Sequence, residues 1–478
     1  MQERYIASVD LGTSKFAVAV AKATGEDVQV IYYKETASDG IRYGGVYNPG
    51  RASSPLKAAI QSAEEELGIK ILQVVVGLPR YGVRQETAPA KIDRSNPGEC
   101  ITREEVSALK SLALDTYVLD DQVKEEIYGA VAQSFATDDM IQGTEADVVG
   151  VPSETLEGTF KVFIGTKKPI SNLDKVMNVA GVAIARKYFL PNAIGQVVLN
   201  REEMENGVAM IEFGAGVTSL TIYQGSIMRY YNAIPFGGAN ITSDIKYECG
   251  FQSSLAENIK LAFGACLPDR LQSMSEKIIQ INDDEDGSSQ QLPVKYLSEI
   301  ITCRCREIIN AILFLIQQSG YADRLRNGIV LTGGGANLTN LANMIREISG
   351  YNVRVGYPRS KRLSTYGCNG INETSAVASV AMLSRASTDT HLNCIDEQLP
   401  AQEAAPETVP AEEQGPVLGE DNHGSLFQES EIEVVPPERK KKKDRPEKKP
   451  RITWGRKIKE GFAKTIDSTL GNLYDTME

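Results

Sequence analysis

The sequence predicts an α/β chain of two related lobes, with a small α+β insertion in the first, then a disordered linker and a final amphipathic helix. Three observations carry this. Residues 1–385 alternate strand-like and helix-like patterns joined by glycine-rich turns. A three-strand meander opened by an acidic residue and a nearby glycine occurs twice, near residues 10 and 212, which suggests duplicated domains facing each other across a cleft. Composition then changes abruptly after residue 385. A chain of 478 residues has room for two to four domains of ordinary size.

The elements follow in order. "YIASVD", "KFAVAVAK" and "DVQVIYYK" read as three strands with turns at "LGTS" and "ATGE". A helix is expected at "PLKAAIQSAEEELG", with Pro55 near its start and Gly68 at its end. "ILQVVVGLP" is a short apolar run of the kind buried on both faces of a sheet. From about Tyr81 to Gly165, a polar strand, a helix at "TREEVSALKSLALDTYV" and strands near "EIYGAVAQSF" and "TFKVFIGT" form the insertion. A helical period returns at "PISNLDKVMNVAGVAIARK", and "GVAMIEFGAGVTSLTIYQGSIMRYYNAIPFGG" is the second meander. A long apolar-periodic helix, "PVKYLSEIITCRCREIINAILFLIQQSG", leads into "GIVLTGGGANLTNLANMIREISG", where a strand meets three glycines and a helix capped near Asn337.

Charge is unevenly distributed. Residues 386–438 hold 13 acidic side chains and no Lys or Arg, whereas residues 439–478 hold 13 basic and 6 acidic ones; the formal net charge of the chain is -12. The acidic stretch is rich in Pro, Glu, Ala and Gln, cannot bury enough apolar surface to offset chain entropy, and is expected to be disordered. Both histidines, His391 and His423, fall within it, so a histidine base, nucleophile or ligand is excluded from the expected folded part. The seven cysteines are spread singly apart from Cys303-x-Cys305, whose members face different ways on a helix, and read as reduced thiols. The opening "MQERYIASVDLG" lacks the pattern of a secretory signal and no apolar run approaches ~18 residues, so a cytoplasmic location is expected.

Three motifs carry chemistry. In "SVDLGTSKFAVAV", Asp10 ends a strand and Gly12, Thr13, Ser14 and Lys15 make a tight turn. Glycine lets backbone N–H groups approach a phosphate, the hydroxyls add donors, Lys15 adds charge, and Asp10 is suited to hold water on Mg2+. Alone, such a stretch is also an ordinary hairpin. "MIEFGAGVTSLTIY" repeats the device with Glu212, Gly214, Gly216, Val217 and Thr218, and "IVLTGGGANLTNL" offers glycine-bared backbone against which a nucleotide can lie flat. The pattern GxxxxGK[ST] is absent, which disfavours a P-loop enzyme.

In this order and at these separations, the three resemble the two phosphate motifs and the adenosine motif of the actin-like ATPase superfamily. Within it, "LGTSKFAVAVA", "PFGGANITSDIKYECG" and "LAENIKLAFGACL" resemble the bacterial cell-division protein family FtsA, over about residues 3–385 and again at the chain's end. The resemblance implies an actin-like two-lobed fold of duplicated ribonuclease-H-like domains. Its first lobe would comprise residues 1–83, 166–195 and 359–385, with the inserted subdomain at 84–165. The second would comprise 196–228 and 293–358, with a smaller subdomain at 229–292. A linker at 386–450 and a membrane-targeting helix at 451–478 would follow.

It also implies ATP and Mg2+ as ligands. Asp10, Gly12, Thr13, Ser14 and Lys15 would meet the phosphates from one side and Glu212, Gly214, Gly216, Val217 and Thr218 from the other, with Asp10 and Glu212 holding the metal through water. Gly237 joins this set, Glu257 and Lys260 would lie near the ribose, and Gly333, Gly334, Gly335 and Ala336 would back the adenine. Where most actin-like proteins have Asp-x-Gly, this chain has Glu212-Phe213-Gly214, with Ala215 and Val217 replacing smaller or hydroxylated residues. One extra methylene on a metal-positioning carboxylate is enough to upset reaction geometry, so binding is expected to survive and hydrolysis to be weak or absent. No catalytic residue is assigned.

At the end of the chain, Trp454, Ile458, Phe462, Ile466, Leu470 and Leu473 share an arc of about 160° on a helical wheel. Beside the run "RKKKKDRPEKKPR", this stripe suits an interfacial helix on an anionic membrane, and FtsA-like proteins end in such a helix. A helix docked on the protein's own core is the plainer alternative, but Gly455, Gly461 and Gly471 make it a poor helix in water. Nucleic acid is disfavoured because the core is acidic and the apolar stripe would have no role there.

The expected function is therefore that of an ATP-binding protein that polymerises and anchors the FtsZ ring at the division septum, peripheral on the inner face of the membrane. By resemblance, its partners are the C-terminal peptide of FtsZ, docking on about residues 229–286, further copies of itself and other division proteins. The rivals are a small-molecule kinase of the same superfamily and an actin-like scaffold of a pilus or secretion machine.

Overall fold

The computed structural model describes residues 3–396 apart from 26, 141, 283–288, 360–362 and 366, together with the backbone of the short strand Ile432–Val435. The first lobe is built on a six-stranded sheet. Glu3–Leu11, Lys15–Thr24 and Asp27–Ala37 form an antiparallel meander, with Val9 opposite Val18 and Asp10 opposite Ala17. Gln73–Gly77 lies parallel to the first strand on its other side, and Ala183–Tyr188 lies parallel to that. Leu363–Ser364 closes the far edge beside the third strand. Consecutive residues Val18, Ala19, Val20 and Ala21 are all buried, and neighbours on a strand point to opposite faces, so both faces of this sheet are covered.

The second lobe repeats the figure. Val208–Phe213, Thr218–Gln224 and Ile227–Ile234 form its antiparallel meander, and Ile329–Thr332 and Val353–Val355 follow in parallel. Numbered by their succession within a lobe, both sheets share the order 3-2-1-4-5. Alternation divides the second sheet between two cores. Val208, Met210 and Val330 join the core of the first lobe, while Ala209, Ile211, Phe213 and Leu331 face a separate core built around Ile301, Cys305, Ile308 and Ile312 of the Val294–Gln318 helix.

The insertion is a three-stranded sheet, Arg84–Asp93, Thr155–Thr166 and Glu125–Ala136, backed by the helix Arg103–Asp115 with its own small core. Thr102 and Glu105 form a reciprocal cap at the start of that helix. The insertion touches the second lobe: the Gln133 amide donates to the Met228 carbonyl at 2.9 Å, and Gln85 accepts from the Tyr231 N–H at 3.0 Å. Two helices, Gly238–Cys249 and Ser253–Phe263, and the hairpin of Ile278–Asn282 with Ser289–Pro293 form the second lobe's smaller part. Ile432–Val435 pairs antiparallel with Ile278–Asn282 as a third strand.

Several boundaries differ from the sequence reading. The first helix spans Pro49–Leu67, so its first-turn proline is Pro49 and Pro55 lies inside it; Asn48 caps it by accepting from the Arg51 N–H at 3.2 Å. The helical period beginning at Pro169 does not run to Lys187: the helix Lys167–Ala180 stops at Gly181, at φ 80°, and Ala183–Tyr188 is a strand. Gly334–Asn337 is a single 3₁₀ turn, and the helix behind it, Leu341–Ser349, starts after Asn340 rather than near Asn337.

The linker expected from residue 386 also starts too early. Leu392 and Cys394 are buried in the first lobe, and the Arg4 guanidinium holds the carbonyls of Ser387 and Asp389, each at 2.8 Å. His391 therefore belongs to the packed part, where it is exposed. The apolar stripe from Trp454 to Leu473 lies outside the described residues. Among the described residues, no helix is long and apolar enough to cross a membrane.

Candidate nucleotide site

Both glycine turns leave their sheets at the same place. In each lobe the first strand has an antiparallel neighbour on one side and a parallel one on the other, so the turn that follows it opens beside the carboxyl end of a parallel pair. Crevices at such edges are where α/β sheets hold ligands. The turn carrying Asp10, Gly12, Thr13, Ser14 and Lys15 and the turn carrying Glu212, Gly214, Gly216, Val217 and Thr218 approach closely. A Cβ atom at Gly216 would lie 2.6 Å from Thr13 Oγ1, nearer than such atoms come, so glycine is what allows the two loops to touch. Thr13 Oγ1 also accepts the Gly44 N–H at 3.1 Å.

The second loop is fixed from behind. Gly214 N–H closes its turn on the Val217 carbonyl at 2.9 Å, and the first amides of the helix after Gly237, those of Gly238 and Ala239, donate to the carbonyls of Gly214 and Ala215 at 2.9 and 2.8 Å. Beneath that helix end lies a small ionic cluster. Lys260 Nζ donates to the Gly238 carbonyl at 3.1 Å, to Thr242 Oγ1 at 2.8 Å and to Glu257 Oε2 at 2.7 Å. Glu257 and Lys260 thus stand beside Gly237, already paired with each other.

The loop Gly333–Ala336 follows the fourth strand of the second lobe directly. Gly333 has φ 84°, and a Cβ at Gly335 would lie 2.1 Å from the Phe213 ring. These two glycines seat Phe213, which gives them a packing reason independent of any ligand; among the described residues, a Cβ at Gly334 would meet only Ser375 Cβ, at 3.8 Å. Asn337 and Thr374 join this loop to the returning segment of the first lobe by a 3.0 Å hydrogen bond.

Electrostatics at the two glycine loops depart from what the motifs suggest. Lys15 pairs with Glu35 at 2.5 Å, on the third strand. Burial works against the Glu35 carboxylate, but hydrogen bonds from Lys15 and Tyr33 hold it below the usual carboxylate range. The cation beside Asp10 and Glu212 is instead Arg80, from the "GLPRYG" turn after Gln73–Gly77. Its Nη1 donates to Glu212 and its Nη2 lies 3.4 Å from Asp10 Oδ1. Burial pushes Glu212 above the ordinary carboxylate range, with Arg80 and Ser219 pulling the other way. Arg80 keeps its charge: burial opposes it, but Glu212 and Asp10 outweigh that.

Sequence reasoning missed Arg80 because its partners lie 132 and 70 residues away. The available signal was position, since "GLPRYG" occupies in the first lobe the place that the three glycines occupy in the second. A separate pocket of about 330 Å³, lined by Arg84, Glu125, Thr166 and Asn232 among others, follows the seam between insertion and second lobe rather than the glycine loops.

The chain matches a family model described as Cell division protein FtsA over residues 209–381. Curated proteins named Cell division protein FtsA are similar along most of its length. That of Neisseria meningitidis serogroup B is 28% identical over 360 residues, covering 75% of this chain and 85% of its own. That of Streptococcus pneumoniae serotype 2 is 29% identical over 357 residues, covering 75% and 76%. Among solved structures, the PilM-PilN type IV pilus biogenesis complex contains a chain that superposes with a TM-score of 0.50 at 14% identity, covering 79% of this chain and 97% of that one, a likeness of fold alone. The duplicated 3-2-1-4-5 sheets, with the paired glycine loops and the insertion between the fourth and fifth strands of the first lobe, give the chain an actin-like fold, and its sequence is similar to that of the FtsA family along 75% of its length.

Proposed function

We propose that this chain is an ATP-binding cell-division protein that polymerises and holds the FtsZ ring to the cytoplasmic face of the membrane at the septum, using its terminal amphipathic helix. The observation that carries the nucleotide part is the contact of Thr13 with Gly216: two turns of phosphate-cradling type, from the two lobes, converge on one point. The relatives' name supports the cellular role. The membrane part rests on the apolar stripe from Trp454 to Leu473 and its basic neighbour.

In this reading, backbone amides of both turns bind the phosphates, and the Gly333–Ala336 backbone lies against the base. Asp10 and Glu212 carry the carboxylate oxygens through which a hydrated Mg2+ would be held, where it would screen the phosphate charge, but Arg80 already pairs with both of them. Buried Glu212 is held by Arg80 and by Ser219 Oγ at 3.3 Å, an arrangement suited to binding more than to rapid hydrolysis.

One helix of this kind binds a bilayer reversibly, whereas a polymer presenting many would hold firmly by avidity. The test is co-sedimentation of the full chain with anionic liposomes, beside a version ending at Glu438, with and without ATP. The full chain is expected to pellet, more completely with ATP, and the shortened one to stay in solution. Equal pelleting of the two would reject the tether.

A further inference from the structure

We propose that Arg80 is a built-in cation of the nucleotide site, bridging Asp10 and Glu212 where actin-like chemistry relies on a hydrated metal, so that ATP binds this chain with little dependence on Mg2+. This inference rests on the nucleotide reading given above and deepens it.

The argument starts with charge. The two facing loops bring the carboxylates of Asp10 and Glu212 toward the space a polyphosphate would occupy, and ATP without metal carries several negative charges of its own. Like charges in so confined a place repel strongly unless a cation lies between them. Lys15, the residue the motif offers for this purpose, is engaged by Glu35 at 2.5 Å. Arg80 instead donates to both carboxylates, one from each lobe. Its side chain is only 20% exposed, as is that of Asp10, and that of Glu212 is 8% exposed, so solvent screens this triad poorly.

Position supports the same role. Arg80 follows the carboxyl end of the fourth strand of its lobe, the counterpart of the place from which Gly333–Ala336 enters the crevice. Its backbone is held from the opposite lobe, where the Tyr231 hydroxyl donates to the Arg80 carbonyl. The guanidinium therefore hangs from a fixed point rather than from a free loop. A guanidinium has five N–H donors in a planar fork, and among the described residues Asp10 and Glu212 are the side chains these donors reach, so others remain for phosphate oxygens. Such a residue does what a metal bridge does at the two carboxylates and adds directed hydrogen bonds to the phosphate.

The test is isothermal titration calorimetry of ATP into the full chain, once with excess MgCl₂ and once with EDTA. Wild-type affinity in EDTA is expected within about fivefold of that in Mg2+, because the carboxylates are already bridged. Arg80→Gln is expected to lower the EDTA affinity by about tenfold or more, the usual effect of losing charge-assisted hydrogen bonds, and the Mg2+ affinity much less. Since Arg80→Gln leaves Glu212 unpaired and risks misfolding, the double variant Arg80→Gln/Glu212→Gln is titrated beside it and should show the same renewed need for Mg2+. A wild type that binds ATP only with Mg2+, or variants unchanged in EDTA, would overturn the role of Arg80 while leaving nucleotide binding intact. Failure to bind ATP under either condition would overturn both this inference and the reading beneath it.

Discussion

At the residue scale, environment decides what each charged side chain can do. Glu212 is buried and pushed up by desolvation, and its position is fixed by Arg80 and Ser219 together. Glu212→Asp would restore the shorter carboxylate usual at this loop; an increase in ATP turnover of about tenfold or more is expected in a phosphate-release assay, since misplacement by a methylene costs this order of rate. Unchanged turnover would show that the length of the Glu212 side chain does not limit hydrolysis. Asp138, in the insertion, accepts from Thr155 Oγ1 at 2.7 Å and from the Glu154 and Thr155 amides, and these bonds lower its pKa to about 2. Its folded pKa lies below its unfolded one, so its contribution to stability is present above pH ~4 and is lost as the pH falls toward 2. Chemical-shift titration of the carboxyl should show that low midpoint in the wild type, and Asp138→Asn should weaken the acid dependence of unfolding of the insertion.

At the scale of elements, what was legible in the sequence was whatever a repeating pattern writes locally. Strands such as Val208–Phe213 and Ile329–Thr332 stood out as short apolar runs because both faces of their sheets are covered. The start of the first helix was misplaced because Pro55 looks like a first-turn proline, while the effective signal was Asn48 followed by Pro49. The extension after residue 386 was illegible for another reason. Its polar composition says linker, yet Leu392 and Cys394 find pockets in the first lobe and Arg4, nearly four hundred residues away, holds its carbonyls. Ending the chain at residue 386 should therefore destabilise the first lobe by about 3–5 kcal/mol, from lost apolar burial and a stranded Arg4, whereas ending it at 396 should leave the melting temperature within a few degrees of the full chain. Differential scanning calorimetry of the two truncations decides this.

At the scale of the whole molecule, one sheet order used twice sets the two glycine loops opposite each other. That duplication was visible in the paired meanders, because each is a local hairpin figure. The contact it creates, Thr13 against Gly216, was only implied, since no local pattern reports a meeting of loops about two hundred residues apart in sequence. The same distance hid Arg80. The account depends on this meeting of the lobes, and Gly216 tests it most directly, because a side chain there must separate the loops while leaving both sheets intact. ATP titrated calorimetrically into the full chain should bind at one site, and Gly216→Val should weaken that binding by at least about tenfold with little change in melting temperature. ATP affinity in Gly216→Val equal to that of the wild type would contradict it.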